Sequence, residues 1–351
     1  MKILIVALSG IGDALMFTPA LKLLRQESAN ATIDALVMFK GAADIYRDNP
    51  HLNNVYHFDF IKEGTVNSLK YVLSLRKKYD ATINVYPSNR KEYNIVNFLL
   101  GAKKRAGVKY LREDFQSFGF LNNVRITENE RLHNVETNIK LTEAVLGKSF
   151  EDEPMLEIYL SDDDTKSANA YLLNMGIKQG ELVVGFHPGC ATFKNHIKRR
   201  WESDKFAELA QRLIEGKNAK VLIFGGDDED ELKNEIKNKI ASANAFVVNT
   251  GSILESAAIM DRCNVFVTND SSQMHIAAAL GLKTIAIIGP TNLHYIHPWK
   301  TEHKNVSLIL ECSPCFFYSP LPLICNREDV KFKCIKELTV DMVYSSVAQY
   351  I

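Results

Sequence analysis

The chain alternates short apolar runs, rich in β-branched residues, with longer segments whose apolar positions recur at helical spacing. In the first half, residues 2–8, 32–38 and 81–85 read as strands, with helices over 14–26 and 66–78. The second half is more regular. Residues 182–186, 220–224, 245–248, 265–268 and 284–288 read as strands, separated by helical patterns near 204–215, 228–240, 253–262 and 272–280. Repeated strand–helix units of this kind build parallel sheets covered on both faces, which places the chain in the α/β class. Pro154 and the acids of 151–161 mark a linker, followed by a helical stretch over 164–175. The expected layout is a Rossmann-like domain over 1–160, a second over 161–335, and a C-terminal helix within 336–351. Two doubly wound domains facing each other across a cleft would hold a ligand near the carboxyl ends of their strands.

Composition narrows the function classes. Lys and Arg (42) balance Asp and Glu (42), with no basic block, so no electrostatic footprint for nucleic acid is expected. Apolar runs are strand-sized, well short of the roughly 20 residues of a membrane helix. The opening Met1-Lys2-Ile3-Leu4-Ile5-Val6 reads as a first strand rather than a signal peptide, so a cytoplasmic protein is expected.

Three turns at strand ends carry candidate chemistry. Ser9-Gly10-Ile11-Gly12-Asp13 follows the first strand; Gly10 and Gly12 let backbone approach a ligand at a helix start. A dinucleotide fingerprint would need glycine where Leu15 stands, and the Gly-Lys-Ser/Thr of a P-loop is missing, so neither NAD nor ATP is supported. Asp13 is either a proton acceptor for a substrate hydroxyl or a helix cap. His187-Pro188-Gly189-Cys190 precedes Lys194, Lys198, Arg199 and Arg200, a cationic loop suited to a phosphate or simply solvated. Asn269-Asp270-Ser271-Ser272 and His275 open a helix, where Ser271 and Ser272 offer an anion cradle or an N-cap, and Asp270 could hold sugar hydroxyls. Gly225-Gly226-Asp227-Asp228-Glu229 ends another strand, with acids that either meet a ribose or complement a helix dipole. No catalytic metal is expected. Cys312, Cys315, Cys325 and Cys334 in the segment 312–334 could close a structural zinc or iron site, or be free packing cysteines.

The motifs Gly10-Ile11-Gly12-Asp13-Ala14-Leu15, His187-Pro188-Gly189 with Arg199-Arg200-Trp201, and Asn269-Asp270-Ser271-Ser272 through His275 to Gly289-Pro290-Thr291 together resemble glycosyltransferase family nine, whose best-known members are ADP-heptose:lipopolysaccharide heptosyltransferases. The resemblance implies a GT-B fold with an acceptor domain, a nucleotide-sugar domain and a C-terminal helix that crosses back to the first. It implies inverting, metal-independent transfer of heptose from ADP-heptose to a lipopolysaccharide core or similar glycan, with Asp13 as general base. Lys198 or Arg199 takes the place of the family's diphosphate-binding lysine, Glu229 falls at the nucleoside and Gly251 in the base-binding loop. Ser272 stands where the family has glycine. The cysteine cluster recurs in an iron-binding branch of protein heptosyltransferases. The resemblance also implies an amphiphilic acceptor and peripheral contact with the inner membrane. Another nucleotide sugar, a protein acceptor, a non-catalytic nucleotide-sugar-binding protein and, more distantly, an NAD-dependent oxidoreductase are the alternatives.

Overall fold

The computed structural model describes residues 1–318 and 320–351 and contains two parallel six-stranded sheets, one in Met1–Tyr159 and one in Leu160–Ile351. The first unit holds β1 (Lys2–Ala7), β2 (Thr32–Val37), β3 (Asn54–His57), β4 (Ala81–Asn84), β5 (Lys104–Lys109) and β6 (Val124–Thr127), in the order β3-β2-β1-β4-β5-β6. The second holds β7 (Val183–His187), β8 (Lys220–Ile223), β9 (Ala245–Val247), β10 (Val265–Asn269), β11 (Thr284–Ile287) and β12 (His303–Val306), in the order β12-β11-β10-β7-β8-β9. Each sheet therefore starts in its middle and winds outward both ways. The strand order reverses between β1 and β4, and again between β7 and β10, where open α/β sheets leave a crevice.

Central strands buried on both faces need continuous apolar runs, and Ile3, Leu4, Ile5 and Val6 have no exposed surface. Register is fixed by parallel pairing: Ile5 faces Ala35 and Ile83, and Val267 faces Phe186 and Ile285. The single helix expected over 14–26 is two, Ile11–Met16 and Thr18–Glu27. Pro19 explains the break, because it has no N–H to continue the first helix and suits the first turn of the next. The C-terminal helix, Val340–Val347, was expected to cross back to the first domain; it buries Val340, Val343 and Val347 in the core of the second unit.

Candidate active site

In the first unit, the turn after β1 leads directly into the helix Ile11–Met16, so Asp13 lies in its first turn rather than ahead of it. Gly10 is the N-cap instead, and Asp13, the third helical residue, accepts the Gly10 N–H through Oδ2 at 2.9 Å, bonding back to the cap from inside the helix. The half-buried carboxylate also faces two tyrosines. Burial, aided by the Asp13 charge, pushes the Tyr46 hydroxyl far above its usual range, and the same pair of effects outweighs the Arg90 cation to hold Tyr93 at about 12. The neighbouring loop after β4 is tied in by neutral groups. Ser9 Oγ donates to the Pro87 carbonyl, and Asn138 accepts the Tyr86 N–H at 2.9 Å while donating to its carbonyl at 3.2 Å. Asn89, buried in this loop with its Nδ2 unpaired, was not among the residues expected from sequence. A Tyr-Pro-Ser-Asn turn at a strand end was the available signal.

The second unit brings most of its candidates together at the carboxyl ends of β7 and β10, on either side of the strand-order reversal. Arg199 Nη1 donates to Asp270 Oδ2 at 2.6 Å, and the Thr291 hydroxyl donates to the same oxygen at 2.6 Å. Both members of this ion pair are almost enclosed, with side chains 11% and 10% exposed. Lys198 is exposed, so the two cations left open by sequence occupy different environments. Asn269 clamps the two loops, donating to the Pro188 carbonyl at 2.7 Å and accepting the Trp201 N–H at 3.0 Å.

Glu229 lies inside this cluster. One oxygen is 3.0 Å from His187 Nε2 and the other accepts from Arg200 Nη2 at 3.0 Å. Burial raises its pKa, but the His187 hydrogen bond, the charges of His187 and Arg200 and the Gly226 N–H outweigh it and hold the carboxyl below its ordinary value. Gly189 is required by this approach, since a Cβ there would lie 1.7 Å from Glu229 Oε1.

Ser271 is the N-cap residue of the helix Ser272–Ala279, yet its side chain caps nothing. Its hydroxyl turns to His187 Nδ1 at 2.9 Å. That leaves the first-turn N–H groups without a cap from Ser271, and such groups with the helix dipole favour an anion. His275 is buried one turn on with Nδ1 unpaired, and burial pulls its pKa down to about 4. Gly251 is exposed after β9, its N–H donated to Glu255 at 2.8 Å.

The cysteine segment braces the cationic loop. Leu323 N–H donates to the Lys194 carbonyl at 3.0 Å, Asn195 donates to the Leu323 carbonyl at 2.9 Å, and Arg199 lies over the Phe316 ring, 5.5 Å from its centroid. Burial and the neighbouring thiols raise the pKa of Cys334 to about 11 and also raise that of Cys315. Among the described residues, however, no three His, Cys, Asp or Glu side chains converge to hold a metal ion. Cys325 Sγ instead accepts the Phe332 N–H at 3.2 Å.

Residues 69–321 match the sequence profile of glycosyltransferase family 9 (heptosyltransferase). The chain belongs to this family. It is 28% identical over 353 residues to lipooligosaccharide heptosyltransferase 2 of Campylobacter jejuni, covering 98% of this chain and 96% of that one. It is 27% identical to lipopolysaccharide heptosyltransferase 2 of Escherichia coli, covering 88% of each. The fold matches the E. coli ADP-heptose lipopolysaccharide heptosyltransferase II structure with a TM-score of 0.76, 21% identity and coverage of 100% and 98%. This family 9 enzyme is thus a glycosyltransferase of GT-B fold.

Proposed function

We propose that the enzyme transfers heptose from ADP-heptose to a lipopolysaccharide core or similar glycan, with inversion and without a catalytic metal. The observation that carries the donor reading is the convergence of Arg199, Asp270, Thr291 and Ser271 at the uncapped start of Ser272–Ala279. In this scheme Arg199 and the helix N–H groups meet the charge that develops on the leaving diphosphate. Asp270 orients the sugar, while Lys198, Ser272, His275, Glu229 and Gly251 line the remainder of the donor site. The acceptor oxygen attacks the anomeric carbon, its proton passes to Asp13, and the bond to the diphosphate breaks to release ADP. Gly10 and Gly12 give the acceptor room beside that carboxylate.

Asp13→Asn tests the scheme because its amide oxygen can still accept the Gly10 N–H, which keeps the helix cap. Turnover should fall by about 10³-fold or more with ADP-heptose affinity unchanged; retained activity removes Asp13 from the reaction.

For the acceptor side we propose peripheral contact with the inner face of the cytoplasmic membrane. Among the described residues no helix is long and apolar enough to cross a membrane. On helix Gly64–Ser74, however, Val66, Leu69 and Leu73 form an outward stripe at i, i+3 and i+7, exposed beside Lys70. Co-sedimentation with anionic vesicles that Leu69→Glu leaves unchanged would discard that surface. For Cys312, Cys315, Cys325 and Cys334 we propose a structural role in the segment that braces Arg199; a zinc or iron staple there would require the four side chains to draw together from the positions they hold in this structure. Elemental analysis that finds neither metal in protein purified without chelator ends the metal part.

A further inference from the structure

Lysine side chains are seldom fully buried, because the ammonium group gives up its hydration. Lys233, in the first turn of the helix Asp230–Lys239, is nevertheless 1% exposed. Its Nζ donates to the Gly225 carbonyl at 3.2 Å, to the Val248 carbonyl at 3.2 Å and to Asn249 Oδ1 at 2.9 Å, and Asp230 Oδ1 lies 2.7 Å away as the opposite charge. The hydrogens of one ammonium group are thus shared between the loop that follows β8 and the loop that follows β9.

The position of those acceptors shows what the bonds do. β8 and β9 pair in parallel up to Ile223 and Val247, and the Val248 N–H continues the ladder by donating to the Ile223 carbonyl at 2.9 Å. Beyond that point the chains part into Gly225-Gly226 and Asn249-Thr250-Gly251, and the Gly225 and Val248 carbonyls both turn to the ammonium, which bridges the loops where strand pairing has ended. The first loop is packed onto Glu229. The Gly226 N–H donates to Glu229 Oε2 at 3.3 Å, and a Cβ at Gly225 would lie 3.0 Å from that oxygen and 3.2 Å from Lys233 Cδ, so a shift of the turn moves the carboxylate. The second loop reaches Gly251 two residues after Asn249, whose N–H is held by the Tyr171 hydroxyl at 3.0 Å. A methionine of similar length would fill the same space without burying a charge, so packing alone does not call for lysine here.

We infer that Lys233 is a positioning residue: it fixes the loops after β8 and β9 relative to each other and thereby sets how tightly the enzyme holds the nucleoside half of its donor. The inference rests on the donor reading above, in which Lys233 touches no substrate and acts through Glu229 and the loop to Gly251. It is tested by steady-state kinetics with ADP-heptose as the varied substrate. Lys233→Met should raise KM about tenfold, the factor expected when one hydrogen bond to a charged group is lost, and kcat at saturating donor should stay within about twofold because Arg199 and Ser271 are untouched. A merely structural role gives the opposite split, with less active protein, a lower kcat and an unchanged KM. Asn249→Ala, at an exposed position, keeps both carbonyl bonds and serves if Lys233→Met does not fold; it should raise KM by a smaller factor, and in the Lys233→Met background it should change KM no further. An unchanged KM in Lys233→Met, or in Asn249→Ala where only that variant folds, overturns the clamp and leaves the donor reading in place. So does a fall in kcat larger than the rise in KM, or full additivity of the two substitutions. Failure of the wild type to bind ADP-heptose overturns the donor reading itself, and the clamp with it.

Discussion

Gly189→Ala isolates the contact on which the second unit's polar cluster depends. The three atoms nearest to a Cβ at this position all belong to the Glu229 carboxyl group, at 1.7, 2.2 and 2.5 Å. A carbon cannot occupy that space, so the carboxylate must swing away and give up its bonds to His187 and Arg200, each 3.0 Å long. Hydrogen bonds to charged groups contribute about 1.5–3 kcal/mol each, and partial relaxation recovers some of the loss. We expect a destabilisation of about 4 kcal/mol, or a fall of about 10 °C in the melting temperature of a domain this size. Urea unfolding of wild type, Gly189→Ala, Glu229→Ala and the double variant forms a cycle that reads the clash directly. In the Glu229→Ala background the same alanine should cost less than about 1 kcal/mol. Equal costs in the two backgrounds would refute the assignment of Gly189 to the Glu229 approach.

Three further outcomes follow from the same cluster. Burial pulls His275 down to about 4, against a smaller opposing effect from Asp270, so the unfolded chain binds a proton between about pH 6.5 and 4 where the folded one does not. Stability should therefore fall across that window as pH drops, by up to about 3 kcal/mol, and His275→Gln should flatten the dependence of the urea midpoint on pH. Arg199→Ala leaves Asp270 enclosed without its cation and should cost about 3–5 kcal/mol together with most of the ADP affinity, whereas the exposed Lys198→Ala should change the melting temperature little; equal effects of the two would reverse the choice of cation. Phe316→Ala empties a buried ring site against His196 and Arg199. It should cost about 3–4 kcal/mol and speed limited proteolysis within Phe193–Arg199, and an unchanged cleavage rate would mean that the brace does not hold the loop.

The sheet centres were legible because both faces of a central strand are buried, so β1 from Ile3, β7 through Phe186 and β8 from Val221 show apolar runs, while in β2 the run is interrupted by the buried Asp34. Toward the edges that signal fails. β3 (Asn-Val-Tyr-His), β6 (Val-Arg-Ile-Thr) and β12 (His-Lys-Asn-Val) are outer strands with largely uncovered side chains, and β5 begins with Lys104 and Arg105. The helices Lys91–Leu100 and Asn134–Leu146 were missed for the opposite reason, since they bury polar residues. Asn94, Asn97, Asn138 and Thr142 point inward to hydrogen-bonded partners, which erases the apolar stripe from the sequence. At the site, residue types at strand ends were readable but their partners were not. The sequence offered Ser271 as an N-cap and Glu229 as a carboxylate for a ribose. Only the fold reveals that both are engaged by His187, which lies far from each along the chain.

The two units share a strand order and a reversal point but furnish the crevice with different chemistry. At β1 and β4 the loops are cross-linked mostly by neutral groups, Ser9, Ser88 with the Tyr110 hydroxyl at 2.5 Å, Asn94 and Asn138, with one bond from the Tyr86 hydroxyl to the buried Glu128 carboxylate at 3.0 Å. Asp13 is a second acid set among them, at the start of Ile11–Met16. At β7 and β10 the corresponding positions hold two arginine–carboxylate pairs and a histidine. A neutral amide and hydroxyl lining can exchange hydrogen bonds with sugar hydroxyls at small desolvation cost, but it does little to compensate a diphosphate. A lining of paired charges beside an uncapped helix start has the opposite bias, because an arriving anion can compete with Asp270 for Arg199 without leaving that cation unpaired. On the proposed assignment of acceptor to the first unit and donor to the second, the same topology would separate the two substrates by electrostatics, and exchanging Asp270 for Asn should raise affinity for free ADP as it removes the competing carboxylate.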